Sequence, residues 1–467
     1  MTVEMWLTLA KLGLVLIPFA LVPVMILLER RGAAFIQDRP GPSRAAIPLP
    51  GGLRIRGFGM VHNFTDGVKL FFKESLVPSF AYKPFYILAP AIPVVTAVLT
   101  PALIPWFGPI TLDGGVRVVG QFLDANSGIL ALFALSSLSV YGVVLGSWAS
   151  NSKYSLLGGM RASAMMISYE VSMGLGALGL FLLVGSFSLT AVVEWQAAHA
   201  WGIIVQPVGF FLFVTSMFAE CNRSPFDVAE GESELVAGFH TEYSAIKFAL
   251  YFMGEYCHIV IASALIATLY LGGYSPLPFD LHALSIHTET GSYFDWLPKA
   301  PYDAAFIARN LGTWIGIFAV GTAILLLGSA AIVGAHKKRY ASHVASDQKA
   351  RAKEYGFFIA VFAFIGLAAI VGAVGAFTQI DTASEATRVD GVVRYPLWVQ
   401  LATAAIQVGI VLAKTLFFCW VFVWVRWTVP RMRYDQIMAL GWKVLLNVAL
   451  VNLLVTAIVA KLVGVGK

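Results

Sequence analysis

The sequence predicts an all-α polytopic membrane protein. Hydrophobic residues make up 58% of its 467 residues and charged residues only 12%, whereas a soluble domain is about a quarter charged. Ten apolar segments are each long enough to cross ~30 Å of hydrocarbon as a helix. The period-2 alternation of a lipid-facing β-barrel is absent. We therefore predict a single membrane domain, residues 1–467, with about ten transmembrane helices.

The apolar segments follow one another with polar loops between them. They lie at about 6–28, 85–106, 126–148, 164–185, 203–221, 245–272, 311–335, 356–377, 397–425 and 441–463. The first is longer than the apolar part of a secretion signal, and Glu29-Arg30-Arg31 follows it without a small-residue cleavage site. We expect it to be retained as the first membrane helix.

The shorter segment 62–74 predicts an amphipathic surface helix. Phe64, Val68 and Phe71 fall on one helical face, while the charged residues of the segment fall on the other. Such a helix lies flat at the membrane surface or against a partner. We therefore expect it to lie along the bilayer and not to cross it.

The basic residues predict the orientation of the chain. With the N-terminus outside and every segment crossing once, 23 of the 32 Lys and Arg residues lie on the inner side and 8 lie outside. Because basic residues concentrate on the cytoplasmic side, we expect both the N-terminus and the C-terminus outside and the polar loops in the cytoplasm. Lys414 lies within the ninth segment, where either a counter-ion or a lysine that reaches toward the headgroups fits the pattern.

One inner loop and the segments beside it hold an unusual number of carboxylates. Seven of the 26 acidic residues fall between Phe218 and Glu255. They are Glu220, Asp227, Glu230, Glu232, Glu234, Glu242 and Glu255. Ionisable groups near membrane depth mark ion or proton paths, so we expect a proton path here. The alternative is a solvated acidic surface that pairs with basic residues of a partner.

Glu170 lies inside the fourth apolar segment. Carboxylates held close together titrate as a coupled group and cannot all be ionised. We therefore predict that Glu170 extends the proton path into the membrane, although a lone buried Glu can also serve as a structural hydrogen-bonding group.

Several function classes are not supported by the sequence. The three cysteines form no CxxC pair, and the eight histidines form no HxxxH pair, so we expect no metal or iron–sulfur cluster in this chain. The chain contains no GxGxxG in a βαβ context for a nucleotide. The net charge of +6 fits membrane orientation and gives no reason to expect nucleic acid as a partner. The chain alone should therefore hold no complete active site and no catalytic residue.

Five long stretches in order along the chain resemble the H subunit family of respiratory complex I, the proton-pumping NADH:quinone oxidoreductase. They are ERRGAAFIQDRPGPSR, TDGVKLFFKE, WASNSKYSLLGGMRASAMMISYEVS, AECNRSPFDVAEGESELVAGFHTEYSAIKFAL and WVRWTVPRMRYDQIMALGWKVLLN. The resemblance assigns residues 1–275 and 396–463 to a family core of eight helices. Residues 276–395 then form an inserted region with two further helices, and LPGGLRIRGFGMV is extra in the first loop.

The resemblance implies a function for these motifs. The chain would form the membrane-side part of a quinone chamber, entered between the first helix and the surface helix, and would couple quinone reduction to proton translocation. The implied chamber residues are Asp38, Arg39, Arg44, Arg223 and Asp227. The implied proton relay is Glu170, Glu220, Glu230, Glu232, Glu234, Glu242 and Glu255.

The resemblance also implies partners and a location. Quinone, either ubiquinone or menaquinone, would be the substrate, while FMN and the iron–sulfur clusters would lie in partner subunits. The partners would be the hydrophilic quinone-module subunits, the membrane-arm subunits and the lipid bilayer. The location would be the bacterial inner membrane.

Two alternatives remain open at the level of the sequence. The first is the equivalent subunit of a membrane-bound hydrogenase or F420H2 dehydrogenase, but the intact QDRPGPSR loop and GVKLFFKE helix favour a quinone user. The second is an autonomous ion transporter, which usually shows inverted repeats.

The two helices of residues 276–395 are apolar nearly throughout, so we expect them to pack outside the family core as a peripheral scaffold.

Overall fold

The computed structural model describes most of the chain. The described residues are 3–39, 41–42, 44–48, 54–111, 117–229, 231–281, 286–288, 291–293, 298–341, 346–379, 387–389 and 392–463. The predicted relay residue Glu230 lies outside them, and of Glu232 only the backbone is described.

Helices dominate the described part of the chain, as the apolar segments predict. The first half contains α1 Val3–Val15, α2 Ile17–Ile36, α3 Met60–Phe72, α4 Lys83–Leu88, α5 Ala91–Leu99, α6 Gly128–Ala149, α7 Lys153–Val184, α8 Leu189–Ala198, α9 Gly202–Val205 and α10 Pro207–Glu220. The second half contains α11 Glu232–Leu235, α12 Ala245–Tyr270, α13 Ala304–Arg309, α14 Leu311–Ala341, α15 Ser346–Gln379, α16 Leu397–Thr428, α17 Tyr434–Ala439 and α18 Leu446–Val463.

The described strands form four short antiparallel hairpins in the loops. They pair β1 Ile47–Pro48 with β2 Arg54–Ile55, β3 Ile110–Thr111 with β4 Arg117–Val118, β5 Ile286–Thr288 with β6 Gly291–Tyr293, and β7 Thr387–Val389 with β8 Val392–Arg394. None of these strands is longer than three residues, so the hairpins shape loops and build no sheet core.

Nine helical stretches in the described residues are long and apolar enough to cross a membrane. The remaining predicted segment, the fifth at 203–221, contains the 14-residue α10. At a rise of 1.5 Å per residue this helix is ~21 Å long, which is shorter than the hydrocarbon thickness. Pro207 begins it, and the separate turn of α9 precedes it. The fifth apolar segment is therefore divided, while the other predicted segments match single stretches.

Helix α12 lies at the centre of the bundle. All of its second half, from Ile259 to Tyr270, is buried, because α2, α5 and α16 pack around it. Its apolar residues belong to the largest hydrophobic cluster among the described residues. Glu255, the carboxylate that α12 carries, lies just before this buried half and is itself half-buried.

Helices α14 and α15 pack mainly against each other. A Cβ at Gly316 would overlap the ring of Phe377, and a Cβ at Gly366 would lie 2.9 Å from Leu327, so glycines permit the close approach. A small cluster with Leu311 joins α14 to α16. The pair thus sits at the side of the bundle, and α15 also contacts the first loop at β2.

Candidate functional site

An apolar groove lies between α2 and the surface helix α3. Its volume is about 710 Å³. The groove is lined by Pro23, Ile26, Met60, Asn63, Phe64, Gly67, Val68, Phe71 and Phe72. Phe72 is 86% exposed, so the groove opens at the end of α3. The predicted amphipathic helix is confirmed within two residues at either end.

Polar contacts fix α3 on α2 beside this groove. Arg30 donates to the carboxylate of Asp66 at 2.6 Å and to the side-chain oxygen of Asn63 at 3.3 Å. The side-chain amide of Asn63 donates in turn to the carbonyl of Pro23 at 2.9 Å. These contacts hold the apolar face of α3 toward the groove.

A buried charged cluster lies next to the groove. Glu29 is 9% exposed and accepts from the hydroxyl of Tyr256 at 2.6 Å, and its carboxylate forms an ion pair with Arg426 at 2.5 Å. Arg223 lies 3.7 Å from Glu29 and 3.7 Å from Glu255, and its guanidinium lies 4.5 Å from the centre of the Tyr256 ring. Two arginines and two glutamates thus balance one another in a buried site, where a single unpaired charge is costly.

The carboxylate-rich loop is buried through its first half. All residues from Cys221 to Ala229 are buried, and the carboxylate of Asp227 lies 2.8 Å from Arg431. For Asp227, this burial excludes the alternative of a solvated acidic surface. Glu234, in contrast, is exposed and pairs with Arg161 of the same chain at 2.5 Å.

The end of the loop is held by two stacked tyrosines. The rings of Tyr86 and Tyr243 lie 4.3 Å apart. The hydroxyl of Tyr86 donates to the carbonyl of Glu242 at 2.5 Å, and the hydroxyl of Tyr243 donates to the carbonyl of Tyr86 at 3.2 Å. Burial raises the pKa of Tyr243 to about 12, so this hydroxyl remains a donor at neutral pH. Glu242 is half-buried beside these rings.

Two small cavities bring two predicted relay carboxylates together with a histidine. One has a volume of about 30 Å³ and is lined by Glu220, Glu255 and His258 among others. The second has a volume of about 20 Å³ and is lined by Glu220, His258 and Ser136 among others. A cavity of ~10–15 Å³ on this measure is enough for one water molecule. Each cavity therefore has room for water between groups that can carry a proton.

Glu170 lies near the second cavity, next to a pair of serines. The hydroxyl of Ser137 donates to the Glu170 carboxylate, and the adjacent Ser136 lines the cavity. Glu170, Glu220 and Glu255 thus lie in one region of the bundle, on α7, α10 and α12. Glu234 and Glu242 lie beyond them, in the loop that the charge pattern assigns to the cytoplasm.

The predicted chamber residues of the first loop lie apart from the buried cluster. Asp38, Arg39 and Arg44 are exposed. Arg39 donates to the side chain of Gln37 at 2.6 Å, and Asp38 has a φ of 49°, a left-handed conformation that Asp tolerates better than most residues. The chain itself leaves these three side chains at the surface, whereas it buries Arg223 and Asp227.

Sequence reasoning misses four residues of this region. Glu29, Arg426 and Arg431 lie beyond the ends of predicted apolar segments, where a charge is usually solvated. His258 is missed because a lone histidine on an apolar helix gives little signal. Its position three residues after Glu255, on the same helical face, is the available clue.

Lys414 fits neither sequence interpretation. Its ammonium donates to the carbonyls of Leu271, Gly273 and Ser275 at 2.6, 2.8 and 2.6 Å. It also lies 4.3 Å from the centre of the Trp201 ring. The lysine therefore binds the carbonyl oxygens that follow the C-terminal end of α12. In the described residues it pairs with no carboxylate.

Comparisons with known proteins agree with this architecture. A sequence model of the family described as NADH dehydrogenase matches residues 10–335 and 353–457. The H 1 subunit of NADH-quinone oxidoreductase from Cytophaga hutchinsonii is 34% identical over 428 residues, which are 92% of this chain and 89% of that protein. The chain belongs to this family. It is thereby a membrane subunit of an enzyme complex, NADH-quinone oxidoreductase.

Other members of the family match to a similar extent. The H 1 subunit from Geobacter metallireducens is 34% identical over 96% of this chain and 94% of its own length. NADH-quinone oxidoreductase subunit 8 from Rhodothermus marinus is 33% identical over 93% of this chain and 91% of its own length. The family match runs through most of α14 and resumes within α15, so it includes most of residues 276–395.

Proposed function

We propose that this chain forms the membrane-side part of a quinone chamber and couples quinone reduction to proton translocation. One observation carries the proposal: the apolar groove and the buried charged cluster are adjacent on α2. Ile26 lines the groove, and Glu29 follows it by three residues, on the same face of the helix. An apolar entrance thus ends within one helical turn of buried ionisable groups.

The groove suits the isoprenoid tail of a quinone. Ligand sites are usually apolar, with a few polar groups that fix orientation, and here Asn63 is the polar member of an otherwise apolar lining. Asp38, Arg39 and Arg44 stand exposed on the loop that follows α2. In the complex, this loop would face a hydrophilic partner and complete the chamber around the quinone head.

The carboxylates would carry the coupling. Reduction of a quinone by two electrons creates a demand for protons, and negative charge in the chamber would change the proton occupancy of a coupled carboxylate set. We place Glu255 at the chamber side, since it lies 3.7 Å from Arg223. Glu220 and His258 share the next cavity, and Glu170 lies beyond them. Glu230, Glu232, Glu234 and Glu242 remain relay candidates at the loop.

The proposal extends to the partners and the location. FMN and iron–sulfur clusters would lie in hydrophilic subunits on the loop-rich side, and further membrane-arm subunits would pack against the bundle. The inner membrane of a bacterium is the expected location, with both termini outside.

A single substitution in the groove tests the proposal. A Cβ at Gly67 has no other atom within 4 Å, so Gly67→Leu adds a side chain to the groove without a clash, and Leu also favours the helix. At ~0.8 kcal/mol per displaced CH₂ contact, loss of two such contacts raises the KM for a long-tail quinone about ten-fold. Turnover at saturating quinone should change little.

The matched control is Gly321→Leu on α14, where a Cβ also meets nothing within 4 Å. The measurement is quinone-dependent NADH oxidation by the purified complex, with a long-tail quinone and a short-tail analogue. An unchanged KM for the long-tail quinone in the assembled Gly67→Leu complex would refute the entrance.

A further inference from the structure

Two stretches that are far apart in the chain meet in the structure. The first is the extra segment of the first loop, which includes Arg56, Gly57 and Phe58 just before α3. The second is α15 of residues 276–395. Their contact joins residues 298 positions apart in the chain, at the start of the helix that forms one wall of the apolar groove.

A buried glutamate makes the polar part of this contact. Glu354 is 1% exposed. Its Oε1 accepts from the backbone N–H groups of Arg56 at 2.7 Å and Gly57 at 3.1 Å, and its Oε2 accepts from the Arg56 guanidinium at 3.4 Å. Hydrogen bonds to an ionised acceptor are about twice as strong as neutral ones. One side chain therefore fixes both the backbone and a side chain of residues 56–59, the corner of the chain just before α3.

An aromatic cluster makes the apolar part. The ring of Phe58 lies 6.1, 4.8 and 6.1 Å from the rings of Tyr355, Phe358 and Phe362 on α15. The spacing of these three residues places them on one helical face. Phe58 itself has a φ of 55°, which is uncommon for a residue with a large side chain. The aromatic face of α15 therefore stabilises a backbone conformation at Phe58 that the residue would not favour by itself.

The corner is tied in turn to α2 and α3. The carbonyl of Phe58 accepts from Arg31 at 3.1 and 2.6 Å. Gly59 has a φ of 105°, and a Cβ there would lie 2.7 Å from the carbonyl of Pro42. Met60, the first residue of α3, already lines the groove. Any shift of this corner would therefore move the wall of the groove.

We infer that α15 anchors the start of α3 through Glu354 and through the aromatic residues on the same helix. Glu354 is then a positioning residue for the quinone entrance. This inference rests on the proposed function of the groove. It assigns the helix pair α14 and α15 a role at the groove, although the pair supplies none of the groove-lining residues among those described. Glu354 touches no substrate and acts only through Arg56 and Gly57.

The test compares Glu354→Ala with Lys353→Ala in the assembled complex. Lys353 is the exposed neighbour on the same helix and serves as the control. Amide hydrogen exchange in peptides that cover residues 54–72 should be roughly ten-fold faster at the corner in Glu354→Ala, because two protected N–H groups lose their acceptor. Glu354→Gln keeps a carbonyl acceptor and should restore most of the protection.

The kinetic readout uses the same variants. The KM for a long-tail quinone should rise roughly three- to ten-fold in Glu354→Ala, while turnover at saturating short-tail quinone should stay within about two-fold of the parent. If Glu354→Ala does not assemble, Phe358→Leu loosens the aromatic part of the same contact and should give smaller shifts in the same direction.

The outcomes separate the inference from the proposed function. Unchanged exchange at 54–72 in Glu354→Ala, or in Phe358→Leu where that variant replaces it, overturns the anchor. Faster exchange with an unchanged KM, when Gly67→Leu does raise the KM, overturns the positioning role but leaves the entrance intact. An unchanged KM for the long-tail quinone in both Glu354→Ala and Gly67→Leu counts against the proposal that the groove is the quinone entrance.

Discussion

At the scale of single residues, the site separates carboxylates that are paired with arginines from carboxylates that are not. Glu29 and Glu255 lie beside Arg223 and Arg426. Among the described residues, Glu220 forms no ion pair with a Lys or Arg. Ion pairing favours the charged form of a carboxyl group. A carboxylate outside such pairs can change its protonation more readily. Because Glu220 also lines both small cavities together with His258, it is the central relay candidate.

We predict that Glu220→Gln leaves the complex assembled but lowers quinone reduction and proton pumping by at least about ten-fold. Gln keeps the size and polarity of the side chain, but it cannot take up or release a proton at neutral pH. The measurement is quinone-dependent turnover, together with proton transport in sealed vesicles. Near-normal values for both in assembled Glu220→Gln would remove Glu220 from the path.

The matched control for this prediction is Glu194→Gln. Glu194 is exposed and pairs with Arg117 at 3.1 Å, on the side of the bundle opposite the carboxylate-rich loop in the predicted topology. An exposed pair of this kind contributes ~0–1 kcal/mol, so both activities should remain close to those of the parent.

A second residue-scale prediction concerns the Tyr256 hydroxyl, which donates to Glu29 at 2.6 Å. Tyr256→Phe leaves a buried carboxylate with one donor fewer, at a cost of ~1–3 kcal/mol in the free energy of unfolding. The melting temperature of the purified complex should fall relative to that of Tyr141→Phe, since Tyr141 is 60% exposed. Equal melting temperatures for the two variants would contradict a structural role for this hydrogen bond.

At the scale of elements, hydropathy predicts the long helices better than the short ones. The segment at 164–185 corresponds to α7, which begins earlier, at Lys153, because polar residues such as Ser155 and Ser163 are buried against neighbouring helices. No window of membrane length marks α8 or the four hairpins, since they are too short for such a pattern. The position of α3 is predictable because its apolar face has a helical period.

The end of α12 depends on Lys414, and this gives an element-scale prediction. Lys414→Met removes the donor to three backbone carbonyls at Leu271, Gly273 and Ser275. Buried carbonyls without a partner cost ~1–3 kcal/mol each, so we expect this end of α12 to loosen and the complex to melt at a lower temperature.

Lys461→Met on α18 is the control, because Lys461 is exposed near the end of the last helix. Hydrogen exchange at residues 267–275 should increase in Lys414→Met and stay unchanged in Lys461→Met. If exchange at 267–275 is the same in both, the three carbonyls do not depend on the lysine.

At the scale of the whole molecule, contacts join loops that the charge pattern assigns to the same side. Arg56–Glu354, Arg161–Glu234 and Asp227–Arg431 each join two stretches predicted to be inside. The pair Arg117–Glu194 joins two loops predicted to be outside. The predicted topology places an even number of crossings between the two members of each pair, and the observed contacts agree with it.

Which loops meet is not predictable from the sequence. Basic residues fix the side of the membrane on which a loop lies, but they do not specify its neighbours. Arg56 and Glu354 lie in separate polar stretches, and neither stretch carries a signal for the other. The fold class, the carboxylates and the surface helix are predictable from composition and period, while the charged cluster depends on packing among α2, α12 and α16.

We predict that both termini lie outside, and the buried cysteines make this orientation directly measurable. Cys221, Cys257 and Cys419 are free and buried, so a membrane-impermeant maleimide should label the parent chain weakly. We expect Glu194→Cys and Lys461→Cys to be labelled in spheroplasts, and Lys338→Cys to be labelled only in inverted vesicles. All three substituted positions are exposed, so a difference in labelling reports the side of the membrane and not burial.

The pattern of labelling also tests how often the chain crosses the membrane. The predicted topology places six crossings between Glu194 and Lys461, and an even number returns the chain to the same side. Labelling of Lys338→Cys from the spheroplast side, with the other two positions labelled from the vesicle side, would reverse the orientation. Labelling of Glu194→Cys and Lys461→Cys from opposite sides would require an odd number of crossings. The short helix α10 would then be the first segment to doubt, because at 14 residues it is the shortest of the six.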